Sequence, residues 1–391
     1  MMPLHDAASA ALSAWSARIG GTRLIFGPGS LDGLGEAARE SSGHRVLLVT
    51  DPGLEKAGHA SRAEASLRRA GLEVLVFDGV EENPSTRHVE AGAAAARPAG
   101  IDLIVALGGG SAMDCAKGIN FLLTNGGSME SYWGFGHAAR PMLASIGVPT
   151  TAGTGSDAQS YALIEQEGTR RKMACGDEKA RFATVILDPD LTGTCPRRVS
   201  AASGMDAVSH AVESWVSRPR NPVSCMLGLK AWRLLEEAFA PALDDPGDLR
   251  ARGAMLLGAH LAGAAVESSM LGAAHASANP LTSRDHALAH GEAVLLMLPH
   301  VVRFNGPAAG PLYGELLGGP AAGEAGAPEA LASRLEAMRA HGGLPARLRD
   351  VGVERAELPG LAEAAGSQWT AQFNPRQVTR DDFEALYDAA W

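Results

Sequence analysis

One carboxylate and three imidazoles recur in the second half of the chain: Asp206, His210, His275 and His290. All four stand among Ala, Gly and Leu residues, where an unpaired polar side chain would be costly to bury. A shared metal ion would satisfy them together, because carboxylate oxygens and imidazole nitrogens are common ligands of divalent cations. Whether the four meet around one ion decides most of the functional interpretation.

The first two of these residues lie on a predicted helix. Apolar residues recur at helical spacing from 200 to 216, with Ser200 as the expected N-cap. Residues i and i+4 share one face of a helix, so Asp206 and His210 would point the same way. The alternatives are a solvated Asp–His pair on an amphipathic helix and, for the two later histidines, hydrogen-bonded residues of the core.

Length and composition predict a two-domain globular protein. At 391 residues the chain exceeds what one hydrophobic core usually serves. The net charge is -10, with no basic block and no apolar run of membrane-spanning length, so we expect neither nucleic acid nor membrane as a partner. Four scattered cysteines and an N-terminus without a signal peptide predict a cytoplasmic protein.

The first half of the chain alternates strand and helix signals, which predicts a parallel sheet covered by helices. Short apolar runs followed by Gly, Pro or Asp predict strands at 23–26, 46–49, 73–77, 103–107, 143–148 and 185–187. Helices are expected between them at 31–41, 60–70 and 90–97. Ligands of such sheets bind at the carboxyl ends of the strands.

Two polar loops follow strands of this predicted sheet. The strand at 103–107 runs into Gly108-Gly109-Gly110-Ser111 and then a helix, an arrangement that suits a phosphate group. The second loop, from Thr150 to Ser156, offers hydroxyls that could bind sugar and phosphate oxygens. The alternatives are a tight strand–helix turn and a turn with Ser/Thr caps. The glycines are not the G-x-G-x-x-G fingerprint, because the candidate acid, Asp51, ends an earlier strand.

After Pro196 the strand signals vanish. Helical patterns run through 227–239, 249–269, 328–340 and 380–390, with Pro/Gly breaks at 305–307 and 318–320. The segment 306–328 is rich in Ala, Gly and Pro and is expected to be a surface excursion. The predicted organisation is an α/β dinucleotide-binding domain over 1–196 and an all-α, metal-binding and catalytic domain over 197–391.

These motifs together resemble the iron-containing (group III) alcohol dehydrogenases over nearly the whole chain. The resemblance is carried by Val49-Thr-Asp51, Glu82-Asn83-Pro84, Gly108-Gly-Gly-Ser-Ala-Met-Asp114, Thr150-Thr-Ala-Gly-Thr-Gly-Ser156, Asp188-Pro189, Gly204-Met-Asp-Ala207, His275, His290-Gly291 and Leu298-Pro-His300. It implies the fold shared with dehydroquinate synthases, and a homodimer, since dimers are common in the family. Because that fold also serves non-redox enzymes, fold alone does not define the chemistry.

The resemblance also implies roles for individual residues. The metal ligands would be Asp206, His210, His275 and His290, which would act in catalysis through the metal. The cofactor would be bound by Asp51, Asn83, Gly108, Gly109, Gly110, Ser111, Asp114, Thr150, Thr151, Thr154, Ser156 and Lys172. Where the family often carries a second histidine, four residues after the third ligand, this chain has Asn279. An amide cannot take a proton near neutral pH, so a relay role is in doubt there.

The function implied is an NAD-dependent, divalent-metal-dependent alcohol dehydrogenase or aldehyde reductase acting on a small alcohol or carbonyl substrate. The metal would be Fe²⁺ or Zn²⁺. The alternatives are a cyclising lyase that uses NAD transiently, a binding protein that kept the pocket, and a maleylacetate reductase-like enzyme. The last is metal-independent, which would leave the four ligands unexplained.

Asp51 predicts which nicotinamide cofactor is used. It follows a predicted buried strand, and its carboxylate can accept hydrogen bonds from both ribose hydroxyls. A 2'-phosphate at that place would meet like charge, and the nearest cation, Lys56, is not expected to reach it. NAD(H) is therefore predicted over NADP(H).

Overall fold

The computed structural model describes residues 15–169, 171–282, 288–318 and 323–391. Its chain forms two compact units. Unit 1 comprises Met1–Cys195 and Pro246–Leu256, and unit 2 comprises Pro196–Asp245 and Leu257–Trp391. The segment 246–256, which was predicted to belong to the helical domain, thus groups with unit 1. Arg252 ties it there, since its buried guanidinium donates a 2.6 Å hydrogen bond to the Thr192 carbonyl.

The described residues of unit 1 form ten strands in two sheets. They are β1 (Trp15–Ile19), β2 (Thr22–Phe26), β3 (Arg45–Val49), β4 (Glu73–Phe77), β5 (Leu103–Gly108), β6 (Gly134–Phe135), β7 (Ala144–Pro149), β8 (Tyr161–Gln166), β9 (Arg171–Gly176) and β10 (Thr184–Leu187). The main sheet has the order β1-β2-β10-β7-β5-β3-β4 and is parallel except where β1 pairs with β2. The six predicted strands all lie in this sheet.

The helices of unit 1 follow the strands as a parallel sheet requires. They are α1 (Leu34–Glu40), α2 (Pro52–Lys56), α3 (His59–Arg69), α4 (Thr86–Ala96) and α5 (Gly110–Asn125). The strands β3 and β5 are continuous apolar runs because both of their faces are covered. Leu34 and Leu67, from two helices, belong with Leu48 and Val105 of these strands to one buried cluster.

The second sheet was not predicted. It has the order β6-β9-β8, with β8 and β9 antiparallel and β6 parallel to β9. Its strands mix polar and apolar residues, and β6 is only two residues long, so the sequence carries no clear strand signal here. The edge strand β1 was also missed, because its three central residues are exposed.

Unit 2 is helical. Its helices are α6 (Arg197–Val216), α7 (Pro222–Asp244), α9 (Ala273–Thr282), α10 (His290–Leu316), α11 (Gly323–His341), α12 (Leu358–Gly366) and α13 (Arg380–Ala390), and α8 (Leu249–Glu267) is shared with unit 1. The helix α6 begins before Ser200, with Pro196 at its N-cap position, so the predicted N-cap was wrong. Within the described residues, no helix combines the length and apolarity needed to cross a membrane.

The helix α10 continues through three prolines, which corrects two predictions. The expected break at 305–307 and most of the expected surface excursion at 306–328 are helical, and only 319–322 lie outside the described residues. Proline removes one helical hydrogen bond and usually breaks a helix. Here Pro307 and Pro311 lie on the exposed face, where water can satisfy the carbonyls they leave unpaired, while Tyr313 and Leu316 stay buried.

Candidate metal centre and cofactor loops

Three imidazoles of unit 2 surround one carboxylate oxygen, Oδ1 of Asp206. From this oxygen, Nε2 of His275 lies at 3.6 Å, Nε2 of His210 at 3.7 Å and Nε2 of His290 at 4.0 Å. Asp206 and His210 come from α6, His275 from the first turn of α9, and His290 begins α10. One ligand atom each from Asp206, His275 and His290 lies within 4.8 Å of the others. The structure thus brings together the four residues singled out by the sequence.

The metal-facing atoms of two ligands in this cluster are buried without a hydrogen-bond partner among the described residues. They are Oδ1 of Asp206 and Nε2 of His275, whose side chains are each 4% exposed. The ring of His210 stacks on that of His275, with centroids 4.9 Å apart. The His290 side chain is 30% exposed, so the cluster has one open side. Buried unpaired polar atoms are rare and costly, and a cation between them would satisfy both.

The electrostatics of the cluster favour positive charge. Burial alone would raise the pKa of Asp206, but the surrounding His210, His275 and His290 outweigh it and hold that pKa well below its usual range. Burial acts to lower the pKa of His275, but the carboxylates of Asp206 and Glu213 outweigh it and raise the pKa to about 9. The two carboxylates therefore attract a positive charge to this part of unit 2.

Glu213 is a member of the site that was not predicted from the sequence. Its carboxylate is 4% exposed and lies 2.6 Å from Nδ1 of His275. It stands on α6 seven residues after Asp206, two turns along the same helix face. That spacing is the signal that could have identified it, because i and i+7 point the same way on a helix.

A close approach of two helices brings His290 next to Asp206. A Cβ atom added to Gly291 would lie 2.1 Å from the Ala202 carbonyl oxygen and 3.2 Å from Cβ of Asp206. Only a glycine leaves room for α10 to begin against α6 at this point. The start of α10 is held further by Glu292, whose carboxylate accepts a hydrogen bond from the Ala289 N–H.

Asn279 lies on α9 four residues after His275, on the same face of that helix. Its Nδ2 donates a 3.0 Å hydrogen bond to Oε1 of Gln368. The position where the related family often has a histidine is thus part of a neutral amide–amide contact. Its predicted link to catalysis stays a prediction.

In unit 1, the two predicted cofactor loops meet at the carboxyl ends of the neighbouring strands β5 and β7. The Thr150 N–H donates a 3.0 Å hydrogen bond to the Gly108 carbonyl. A Cβ on Gly110 would lie 2.7 Å from Oγ1 of Thr154, and one on Gly109 would lie 3.4 Å from Oγ1 of Thr151. The close approach of the second loop to the first therefore favours glycine at position 110, whereas a side chain at position 109 would make an ordinary contact.

The glycine loop leads directly into the N-terminus of α5. Gly109 is the N-cap residue and makes no side-chain cap, and Ser111 lies in the first turn. The first N–H groups of a helix have no intrahelical acceptor, and the helix dipole is positive at that end. This loop therefore offers backbone donors suited to a phosphate group.

Asp51 lies beside the glycine loop. It follows β3 and caps α2, with its Oδ1 accepting hydrogen bonds from the N–H groups of Gly53 at 2.8 Å and Leu54 at 3.1 Å. Its other oxygen, Oδ2, lies 3.4 Å from the place a Cβ on Gly108 would occupy. The carboxylate thus stands at the adjoining carboxyl ends of β3 and β5, as the sequence predicts.

Two of the predicted cofactor residues contact each other, and their roles toward a cofactor stay predictions. Both Asp114 and Ser156 are buried, and the Ser156 hydroxyl donates a short hydrogen bond to Oδ1 of Asp114. Lys117, which was not predicted, is 2% exposed and donates to the Ser156 carbonyl at 2.6 Å and its hydroxyl at 3.0 Å. It also donates to the carbonyls of Gln159 and Tyr161, each at 2.8 Å. These buried groups therefore support the second loop on the side that faces the protein interior.

The remaining two predicted residues lie outside these two loops. Asn83 is exposed in the segment before α4 and adopts a left-handed backbone conformation with φ 54°. Lys172 lies on β9 of the second sheet, and its charge acts to lower the pKa of Asp114. Their roles toward a cofactor remain predictions.

The chain matches two sequence models of known families. The model "Iron-containing alcohol dehydrogenase" matches residues 21–189, and "Fe-containing alcohol dehydrogenase family, C-terminal" matches residues 200–391. Among its relatives is the 1,3-propanediol dehydrogenase of Klebsiella pneumoniae, 35% identical over 94% of this chain and 96% of that protein. Another is the NAD-dependent methanol dehydrogenase of Bacillus methanolicus, 31% identical over 93% of this chain and 96% of that protein.

The fold agrees with these sequence relationships. A crystal structure of a 1,3-propanediol oxidoreductase superposes with a TM-score of 0.91 at 33% identity, covering 97% of this chain and all of that one. The chain therefore belongs to the iron-containing alcohol dehydrogenase family. It is an iron-type oxidoreductase that acts on CH–OH groups, a metal-dependent alcohol dehydrogenase or aldehyde reductase. The predicted family, fold class and reaction class are confirmed.

Proposed function

We propose that Asp206, His210, His275 and His290 hold the divalent metal of this enzyme and that its substrate is a small alcohol or aldehyde. The observation that carries the proposal is the pair of buried atoms without partners, Oδ1 of Asp206 and Nε2 of His275, 3.6 Å apart. The relatives named for 1,3-propanediol and methanol support a small substrate.

The donor set fits the metals of the proposal. One carboxylate oxygen and three imidazole nitrogens are ligands that Fe²⁺ and Zn²⁺ both accept, and no thiolate is among them. Bound there, the cation would polarise the substrate oxygen as a Lewis acid, and a nicotinamide cofactor would exchange hydride with the adjacent carbon. The chain itself contributes charge and position, and three of the four ligands are shielded from water.

We also propose that the enzyme prefers NAD(H) to NADP(H). Asp51 stands beside the glycine loop with one oxygen, Oδ2, that does not cap α2. A ribose 2'-hydroxyl can donate to this oxygen, whereas a 2'-phosphate would place negative charge against it. At about 4 Å and an intermediate dielectric the repulsion is on the order of a few kcal/mol.

The oligomeric state and compartment belong to the same proposal. We expect a cytoplasmic homodimer, since dimers are common in the family that this chain resembles. All four cysteines are free thiols, which agrees with a reducing compartment. Light scattering on the purified protein measures the first point, and a monomer at micromolar concentration would contradict it.

The decisive experiment is a panel of short aldehydes, ketones and alcohols with NADH or NAD. Metal is first removed with a chelator, and the protein is then assayed alone, with Fe²⁺ under anaerobic conditions, and with Zn²⁺. We expect turnover of small aldehydes only in the reconstituted samples. Equal turnover in the chelated sample would contradict the metal assignment, and turnover confined to NADPH would contradict the cofactor assignment.

A further inference from the structure

A second buried carboxylate, Glu213, is left unused by the reaction described above. Its two carboxylate oxygens contact different groups. Oε2 lies 2.6 Å from Nδ1 of His275, and Oε1 accepts a 2.8 Å hydrogen bond from the Ala274 N–H. The His275 N–H also points at Oε2, at 3.4 Å. One side chain of α6 therefore contacts both the first turn of α9 and the imidazole which that turn carries.

The contact with Nδ1 defines where the imidazole proton lies. An ionised carboxylate can only accept hydrogen bonds, so at 2.6 Å the Nδ1 atom must be the donor. A histidine that binds a metal does so as the neutral imidazole, in which one nitrogen is protonated and the other carries the lone pair. That other atom is Nε2 of His275, the buried atom without a hydrogen-bond partner that faces Asp206 at 3.6 Å.

We propose that Glu213 is a positioning residue that keeps His275 protonated on Nδ1, so that Nε2 presents its lone pair to the cation. The inference rests on the metal assignment proposed above. Metal-bound histidines commonly donate their second ring N–H to a carboxylate, which sets the tautomer and the ring orientation. Here the same carboxylate also binds the start of α9, so helix and ring are held together.

A purely structural role makes a different prediction, and Asn374 provides the comparison. Its Oδ1 accepts a 3.2 Å hydrogen bond from the Ala273 N–H, one residue before the Glu213 contact. Asn374 is 1% exposed and also donates to Oδ1 of Asn305 at 2.7 Å. It therefore supports the same helix terminus, but its hydrogen bonds do not involve the imidazole of His275.

The test compares Glu213→Gln with Asn374→Ala. In Glu213→Gln the amide oxygen can still accept from the Ala274 N–H, but the amide NH₂ then faces Nδ1. That nitrogen must become the acceptor, which moves the proton to Nε2 and blocks the lone pair. We expect the Zn²⁺ affinity of the metal-free protein, measured by competition with a chromophoric chelator, to fall roughly 10- to 100-fold.

In Asn374→Ala we expect a lower melting temperature and a Zn²⁺ affinity close to that of the parent. Equal losses of affinity in the two variants would make the role structural and overturn the inference. So would a Glu213→Gln protein whose affinity matches the parent's. His275→Ala is measured in parallel, because unchanged Zn²⁺ binding there would overturn the metal assignment itself. Loss in His275→Ala without loss in Glu213→Gln would overturn only the role of Glu213.

A spectroscopic measurement needs no change at position 213. In the zinc-loaded parent labelled with ¹⁵N-histidine, the ring nitrogens should show His275 protonated at Nδ1 and unprotonated at Nε2. The His275→Ala spectrum assigns the signal. A signal showing the proton on Nε2 of His275 would overturn the inference whether or not the Glu213→Gln variant folds.

Discussion

Each unit of this protein contains a buried cluster of ionisable groups, and the two clusters differ in how completely their hydrogen bonds are made. In unit 1 the Lys117 ammonium donates to three carbonyls and a hydroxyl, and the same hydroxyl binds Asp114. In unit 2, Oδ1 of Asp206 and Nε2 of His275 are buried without hydrogen-bond partners among the described residues. The first cluster is complete by itself, whereas the second needs a ligand.

The same contrast is visible in the pKa values of the two buried aspartates. Burial raises the pKa of Asp114, and the opposing effects of Lys117 and the Ser156 hydroxyl do not cancel it. Burial also acts to raise the pKa of Asp206, but there the histidines prevail and the pKa is lowered. Equal burial thus has opposite outcomes, because interactions with three histidines outweigh burial at Asp206, whereas those with Lys117 and Ser156 do not outweigh it at Asp114. The cluster of unit 1, whose hydrogen bonds are complete, supports the fold, whereas the cluster of unit 2, with unpaired atoms, is suited to bind a ligand.

The largest effect should follow from breaking the incomplete cluster. We expect His275→Ala to lose bound metal and to lose activity by more than the roughly 10- to 100-fold that removal of an outer partner costs. Unit 1 has its own core, so the protein should still fold and bind NADH. Metal content and kcat/KM are measured together. Full activity in a preparation shown to lack metal would disprove the ligand assignment.

Breaking the complete cluster should reduce stability rather than metal binding. Lys117→Met leaves three carbonyls without their shared donor and Asp114 without its nearby charge. Breaking such a buried charged network typically costs about 3–5 kcal/mol. We expect a lower melting temperature and a higher KM for NADH, because the second loop loses its support, with Zn²⁺ affinity unchanged.

The matched control for this lysine is Lys230→Met, since Lys230 is exposed on α7. That change should leave both melting temperature and KM close to those of the parent. If Lys117→Met were equally silent, the hydrogen bonds of its ammonium would not support the loop. If it lowered Zn²⁺ affinity as much as His275→Ala, the contrast between the two clusters would fail.

Asp51 is intermediate between the two clusters in how completely its hydrogen bonds are made, because one of its oxygens caps α2 and the other does not. Asp51→Asn can keep the cap, since the amide oxygen still accepts from Gly53 and Leu54, while the charge is removed. We expect the ratio of kcat/KM for NADH over NADPH to fall by roughly tenfold to a hundredfold, with little change in melting temperature. Asp51→Gly, which loses cap and charge, should show both changes. A parent ratio at or below one would mean that Asp51 does not face the ribose.

The sequence predicted the strands and site residues whose signals are local. Apolar runs such as 46–49 and 103–107 mark buried parallel strands, because both faces must be apolar. The spacing of Asp206 and His210 likewise follows from helix geometry. The strands β8 and β9 were missed, since they carry no clear alternation of apolar and polar residues. Pro307 was expected to break a helix, because its exposure on α10 depends on tertiary packing and is not visible in the sequence.

The supporting residues were harder to predict than the ligands. Lys117 and Glu213 both lie on helices, and the partners that make each of them important come from segments distant in the sequence. Lys117 receives its acceptors from positions about forty residues away, from 156 to 161. Ser156 belongs to a loop motif and Asp114 to a helix motif. Whether each side chain faces a ligand or the core depends on that packing.

The smallest effect concerns Asn279, a neutral residue beside the incomplete cluster. Its amide donates to Gln368 and does not change its protonation state near neutral pH. Asn279→His would place there a group with an ordinary pKa near 6.5, charged below that pH and neutral above it. If a proton can pass through this position, kcat/KM should acquire a new inflection between about pH 6 and 8, with less than a tenfold change in rate at pH 7.5. Asn279→Gln keeps an amide without a titrating group and is the matched control, since it reports the effect of altered shape alone. Profiles of the His and Gln variants that superimpose would show that the position carries no proton in this enzyme, and that the loss of the family's second histidine left proton transfer to water or to another group.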